Sequence, residues 1–176
     1  MLGAIISVGL LALILWANWP LPSDQETITL FEKHRSDFEA LVTMVREDKS
    51  NGIIPKDCWI KIDPSRDNPE VPDSPIPQMS QLRFQEYKQR FKNIGLTYGI
   101  GLGRSSEITF ETAYRSTSAI SPYSIKGLVW KPESRNPQIL ADLDNRNFPQ
   151  KNGGPAAGIF LKKLSADWFV YRIESD

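Results

Sequence analysis

The sequence contains only one histidine and one cysteine among its 176 residues. His34 alone cannot form the paired-histidine motifs of metalloenzymes, and Cys58 alone excludes an intramolecular disulfide and a cysteine-rich zinc site. The 21 basic and 21 acidic residues cancel, whereas nucleic-acid-binding domains carry a basic excess that neutralises phosphates. No nucleophile motif is present. We therefore expect a protein without catalytic residues, cofactor or bound metal, and one that does not bind nucleic acid.

The hydrophobic residues are concentrated at the N-terminus, and residues 1–17 include no charged side chain. A helix that reaches Trp19 would be about 28 Å long, close to the hydrocarbon core of about 30 Å. Trp16 and Trp19 lie at one end of this run, where indoles favour the membrane interface, and Pro20 ends it. This pattern predicts a transmembrane anchor over residues 1–19.

Two other interpretations of the N-terminal run remain open. A cleaved signal peptide would carry a basic start and small residues before the cut, but the run has only the α-amine and Leu15 near its end. A buried core helix is the other alternative, although a segment that is apolar on every face suits lipid better. We expect a single-pass protein of the bacterial inner membrane, with its soluble domain in the periplasm.

Two later segments have helical periodicity. Residues 20–28 are interpreted as a short linker and helix start, because Ser23 and Glu26 match a capping box. Apolar residues then recur at steps of three and four, which predicts one helix over 23–49 that ends at Asn51-Gly52. A second amphipathic helix is predicted over 80–94, with Gly95 as its C-terminal cap.

After Gly95 the apolar period changes from 3.6 to 2, which is typical of strands. Strands are predicted over 96–102, 108–114, 125–130, 139–143, 158–163 and 168–173, in addition to a short one at 57–63. The sequence therefore predicts an α+β domain over residues 29–176, in which two amphipathic helices pack on an antiparallel sheet. The expected core residues are Phe31, Phe38, Leu41, Phe91, Val129 and Trp168.

Several of these segments resemble a family of small membrane-anchored bacterial envelope proteins. The matching residues include Phe31, His34-Arg35 and 38–44 in the first helix, and Arg83, Tyr87 and Phe91 in the second. A strand Lys126-Gly127-Leu128-Val129-Trp130 follows, and the other matches are Leu96, Gly99-Ile100, Leu143-Asp144, Trp168 and Tyr171. The resemblance covers about residues 31–172. It implies an architecture and a location, and the family has no activity to carry over.

Four features resemble functional motifs, and each has a simpler structural interpretation. The glycine-rich 99–103 follows a helix, whereas a phosphate loop follows a strand and precedes a helix, so we expect a strand. His34 lies on the apolar stripe, which favours a structural role over that of a general base.

Asp142 and Asp144 resemble the start of a calcium-binding loop but lack the later ligands of such a loop, which favours a turn. Glu107 and Glu111 remain a possible glycosidase pair.

The remaining segments are a loop over 64–77, a glycine-rich approach over 99–106 and the basic face of the second helix around Arg90. Residues 64–77 are rich in proline and acidic side chains, which indicates an exposed loop, and loops without a packing role commonly carry recognition. We expect a protein partner to bind these loops or the basic face of the second helix. The candidate partner-binding residues are Asp67, Asn68, Glu70, Asp73, Arg104 and Arg90.

The function that fits these observations is a membrane-anchored binding protein of inhibitor or immunity type. A structural or accessory factor of an envelope complex is the first alternative, and a small envelope enzyme without a recognisable motif is the second.

Overall fold

The computed structural model describes residues 21–54, 59–60, 76–96, 99–102, 107–116, 123–131, 138–144 and 158–175. The fold is α+β, as the sequence predicts. Its described elements are three helices and seven strands: α1 (Asp24–Lys33), α2 (Arg35–Ser50), β1 (Trp59–Ile60), α3 (Gln81–Ile94), β2 (Gly99–Leu102), β3 (Ile108–Ser116), β4 (Tyr123–Trp130), β5 (Gln138–Ile139), β6 (Gly158–Lys163) and β7 (Trp168–Glu174).

The first amphipathic segment is two helices and not one, which corrects the prediction of a continuous helix over 23–49. The start is as expected, because Ser23 and Glu26 form the complete capping box. At His34 the backbone leaves helical geometry, with φ −118° and ψ 23°, and α1 ends there. Phe31 and Phe38, one on each side of the break, both contact Trp168, with ring centroids 4.9 and 6.0 Å away.

Helix α3 follows its sequence signals closely. The Ser80 side chain accepts a hydrogen bond from the backbone N–H of Arg83, and Gly95 closes the helix in the left-handed conformation with φ 80°. Glycine adopts this conformation without the steric cost that a Cβ atom brings. The predicted helix over 80–94 is therefore confirmed.

The seven strands form one sheet in the order β1-β2-β3-β4-β7-β6-β5. Neighbouring strands are antiparallel from β1 to β6, as expected, but the two-residue β5 runs parallel to β6. The predicted strand over 139–143 is shorter and starts one residue earlier, because the chain turns after Ile139 toward Asp144. Of the strand predicted over 57–63, the structure describes Trp59–Ile60.

All three helices contribute to a core on one face of the sheet. Phe31, Phe38, Leu41, Phe91 and Trp168 are buried in this core, as predicted. Val129 is buried too, but it lies on the opposite face with Leu161 and Tyr171. Side chains alternate between the two faces of a strand, so Leu128 and Trp130 of β4 face the helices whereas Val129 does not.

Within the described residues, no helix is long and apolar enough to cross a membrane. The predicted anchor over 1–19 and the greater part of the loop over 64–77 lie outside the described residues.

Candidate functional site

A lysine is buried between two aspartates where the first helix meets the sheet. Lys126 is fully buried on the helix-covered face of β4. Its Nζ atom lies 2.7 Å from Asp24 Oδ1 and 2.6 Å from Asp144 Oδ1. A charge without a partner at this depth would be strongly destabilising, so the two carboxylates compensate the ammonium group.

Asp24 is the centre of this cluster. Its Oδ2 atom accepts hydrogen bonds from the backbone N–H of Leu143 and from Lys162 Nζ, both at 2.9 Å. Its own backbone N–H donates to both carboxylate oxygens of Asp144, at 2.9 and 2.8 Å. The first turn of α1 is thus joined to β4, to β6 and to the segment that carries Asp144. We call Asp24, Lys126, Asp144 and Lys162 the Lys126 cluster.

Opposing effects set the pKa of Asp24. Burial raises the pKa of this carboxyl, but the hydrogen bonds from Leu143 and Lys162 and the contact with the Lys126 ammonium outweigh burial, and the net pKa lies below its ordinary value. Asp24 Oδ1 has no partner with hydrogen-bond geometry in the described part of the chain, although Lys126 Nζ is only 2.7 Å away. We take this contact as a direct charge–charge interaction, because the distance is that of a close ion pair.

The same place gathers three carboxylates whose spacing could suit a metal ion. Asp24, Asp142 and Asp144 offer oxygen atoms within 4.8 Å of one another. The Lys126 ammonium group already lies against two of these carboxylates, Asp24 and Asp144, so its positive charge neutralises them as a bound cation would. Asp142 Oδ1 accepts a hydrogen bond from the backbone N–H of Asp144 at 2.8 Å, which is the turn geometry expected from the sequence.

A second ionic cluster joins α2 to α3. Arg83 Nε lies 3.1 and 2.9 Å from the two carboxylate oxygens of Asp48, and Tyr87 donates to the same carboxylate at 2.8 Å. Burial and the hydrogen bond to Asp48 raise the pKa of Tyr87, and the hydrogen bonds to Asp48 and Glu86 raise the pKa of Arg83. These groups therefore stay in the protonation states that hold the two helices together.

His34 lies at the break between α1 and α2. Its Nδ1 atom is 3.9 Å from Asp37 Oδ2, which is too long for a hydrogen bond. Asp37 Oδ1 instead forms an ion pair with Arg90 Nη1 at 2.9 Å. Arg90, a predicted partner-binding residue, is 36% exposed and also links α3 to α2 through this ion pair. The other five predicted partner-binding residues, Asp67, Asn68, Glu70, Asp73 and Arg104, lie outside the described residues.

Glu107 and Glu111 lie on the face of the sheet opposite the helices. Glu111 pairs with Gly127, and Gly127 pairs with Tyr171 on the next strand. A Cβ atom on Gly127 would lie 2.1 Å from the Phe110 carbonyl oxygen and 2.8 Å from the Tyr171 ring, so only glycine fits there. Burial and the two glutamates raise the pKa of Tyr171 well above its ordinary value. Of the strand predicted over 96–102, the structure describes Gly99–Leu102 as β2, in which Gly99 and Gly101 pair with β3, whereas Leu96 lies outside the strand.

An exposed apolar pair lies at the β5 edge of the sheet. Ile139 is 64% exposed and Ile159 is 42% exposed. Ile139 is in register with Leu161, so it shares the sheet face of Leu161, and alternation along β6 places Ile159 on that face as well. The two isoleucines are diagonal neighbours on adjacent strands, and we call them the edge isoleucine pair.

Sequence reasoning missed the Lys126 cluster and the edge isoleucine pair. Two signals pointed to the cluster: a lysine interrupts the apolar strand around Leu128, and an aspartate follows the Ser23 cap. Neither signal identifies its partner, because Asp24 and Asp144 are 120 residues apart. Comparison with known proteins adds nothing to this geometry, since no family model, no curated protein and no solved structure matches the chain.

Proposed function

We propose that this protein is a membrane-anchored binding protein that captures a protein partner at the β5 edge of its sheet. The observation that supports the proposal is the edge isoleucine pair. Two large apolar side chains stand exposed together on adjacent strands. Neighbouring exposed apolar side chains at a sheet edge favour aggregation, and a contiguous group of them commonly marks a surface that binds a partner.

The ionic groups support binding over catalysis. The Lys126 cluster and the Asp48–Arg83 contact both connect a helix to another element of the fold, and their charges are compensated within the described chain. Each cluster therefore has a structural role that does not require a substrate. The described surroundings of His34 provide a carboxylate at 3.9 Å, which is too distant to orient an imidazole as a general base.

The proposed anchor gives the binding surface its location. Residues 1–19 would hold the chain in the inner membrane, and α1 begins at Asp24, four residues after Pro20. Because Asp24 is ion-paired with Lys126 of β4 and Lys162 of β6, the proposed membrane segment would end close in space to these strands. A protein partner captured at β5 would then be retained at the periplasmic surface of the membrane. An inhibitor of immunity type acts by such capture.

The test is quantitative recovery of partners from the native membrane. The full chain is extracted in mild detergent, and the recovered proteins are compared with those of Ile139→Ser/Ile159→Ser. Covering about half of each isoleucine should contribute roughly 2 kcal/mol to binding, so we expect about a thirtyfold loss of affinity. Leu82→Ser is the matched control, because Leu82 is 75% exposed but lies on α3.

Equal recovery of the same partners by the wild type, the double variant and the Leu82→Ser control would contradict the proposed surface. The identity of a partner lost selectively from the double variant then defines the role. A secreted enzyme whose activity the protein suppresses supports an inhibitor. Recovery of integral components of a membrane assembly would instead support the role of an accessory factor of that assembly.

A further inference from the structure

Two cations lie against the ring of one tryptophan where β4 ends. The Arg46 guanidinium carbon is 5.5 Å from the centroid of the Trp130 ring, and Lys131 Nζ is 4.8 Å from it. Trp130 is buried, whereas Arg46 and Lys131 are exposed. The tryptophan therefore fixes the position of two charged groups that remain accessible to water.

Neither cation forms an ion pair with a carboxylate in the part of the chain that the structure describes. Five arginines have side chains that the structure describes, and four of them form ion pairs, with Glu39, Asp48, Asp37 and Glu174. Arg46 is the exception within the described chain, and its guanidinium group lies against the Trp130 ring. Lys131 likewise contacts that ring and forms no ion pair among the described residues. The surface around Trp130 thus carries two positive charges.

The backbone of Lys131 is also unusual. Its φ of 48° is the one positive φ among the described residues other than glycine. A residue with a Cβ atom adopts this conformation at a cost, and such residues are concentrated at functional sites. The backbone N–H of Lys131 donates to the Asp167 carbonyl oxygen at 2.8 Å, which holds the turn. The turn directs the ammonium group over the Trp130 ring.

We infer that Arg46, Trp130 and Lys131 form a binding site for a phosphate group. Two accessible positive charges match the dianion of a phosphate monoester, and a guanidinium fork is suited to its oxygens. The site is independent of the proposed partner surface, because Arg46 and Trp130 belong to the helix-covered side of the sheet. Free phosphate monoesters carry up to two negative charges and phospholipid phosphodiesters carry one, but both present anionic phosphoryl oxygens to the two cations.

The test follows the Trp130 indole N–H signal by NMR, assigned with Trp130→Phe, in the full chain held in neutral-lipid nanodiscs. Inorganic phosphate is added at constant ionic strength, with chloride as the reference. We expect a saturable shift of the signal, and at least about a tenfold weaker affinity in Arg46→Gln. Arg35→Gln is the control, because Arg35 lies over the Phe31 ring at 5.5 Å but is paired with Glu39. It should bind phosphate like the wild type.

A second variant separates binding from folding. Lys131→Gly removes the ammonium group and suits the left-handed backbone, so the melting temperature should stay the same or rise while phosphate binding weakens. A fall in melting temperature with unchanged phosphate affinity would assign Lys131 a packing role and overturn the site.

The source of the phosphate group is distinguished by a lipid arm. In nanodiscs that contain anionic phospholipid, a shift of the Trp130 signal without added phosphate supports a headgroup ligand. A shift with free phosphate alone supports a soluble phosphate ester. If neither arm gives a saturable shift, or if chloride reproduces it, the inference is wrong.

Discussion

Two ion pairs of similar length have opposite surroundings in this protein. Lys126 Nζ lies 2.7 Å from Asp24, and Arg35 Nε lies 3.1 Å from Glu39. The first pair is 0% and 5% exposed, and the second is 47% and 55% exposed. Water and salt screen the exposed pair, but removing one member of the buried pair leaves the other charge without solvent. Burial, and not distance, therefore decides which pair the fold depends on.

The Arg83–Asp48 contact lies between these extremes. The side chain of Asp48 is 4% exposed and that of Arg83 is 23% exposed. One partner is thus desolvated while the other still reaches water. If burial sets the contribution of each ion pair to stability, the loss of stability on removing one partner should be largest for the most buried pair and smallest for the most exposed pair.

The largest effect is expected from Asp24→Asn. This change leaves Lys126 with Asp144 alone and removes the charge that holds Lys162, at a cost of about 3–5 kcal/mol. Urea unfolding of the full chain in mild detergent at pH 7, followed by circular dichroism, measures the loss. Asp142→Asn is the control, because Asp142 is exposed and should change stability by less than about 1 kcal/mol. Similar losses in both variants would contradict the central role of Asp24.

The destabilisation by Asp24→Asn should also depend on pH. The folded protein holds the pKa of Asp24 below its unfolded value of about 4. Its contribution to stability is thus fully present above that unfolded value, and it is lost as the pH falls through the lower, folded pKa. The difference between the wild type and Asp24→Asn should shrink in acid. A difference that is constant down to about pH 2 would show that ionisation of Asp24 does not stabilise the fold.

An intermediate effect is expected from Arg83→Met. The methionine keeps much of the apolar stem, but Asp48 loses the Arg83 Nε–H that donates to both of its carboxylate oxygens and retains the hydrogen bond from Tyr87. Hydrogen bonds to charged groups contribute about 1.5–3 kcal/mol, and the partial exposure of Arg83 places the expected loss near the lower end. Thermal unfolding measures it. A loss larger than that of Asp24→Asn would break the ranking by burial.

The smallest effect is expected from Arg35→Gln. Exposed pairs four residues apart on a helix contribute about 0.3–0.5 kcal/mol, and salt screens them. The same unfolding experiment at low and high salt should find a small difference that disappears at high salt. A loss of more than about 1 kcal/mol would mean that the contact of Arg35 with the Phe31 ring matters more than its exposure suggests.

Local signals in the sequence predicted most of the elements. Ser23 with Glu26, Ser80 and Gly95 mark helix ends through contacts within one turn, so a single sequence reveals them. The break at His34 was missed, because Phe31 and Phe38 are compatible with a continuous helix and their common contact, Trp168, is far away in the chain. The Lys126 cluster was missed for the same physical reason, since its members are close only in the folded chain.

The face assignment of Val129 shows a related limit. Alternation along β4 separates Val129 from Leu128 and Trp130, but the sequence does not say which set faces the helices, because both sets are apolar. Lys126 is buried on the helix-covered face together with Leu128. The apolar pattern alone would predict that the face carrying a lysine points to solvent. The edge isoleucines could not be predicted either, because their exposure depends on the order of the strands.

The claim that a protein partner binds at the β5 edge is tested most directly by crosslinking in the native membrane. A photoreactive amino acid is placed at position 159, and in a parallel experiment at position 82 on α3. Both native side chains are exposed, at 42% and 75%, so both probes reach water. The account predicts one discrete adduct from position 159, lost on Ile139→Ser, and none of that mass from position 82. The same adduct from both positions, or none from position 159, would contradict it.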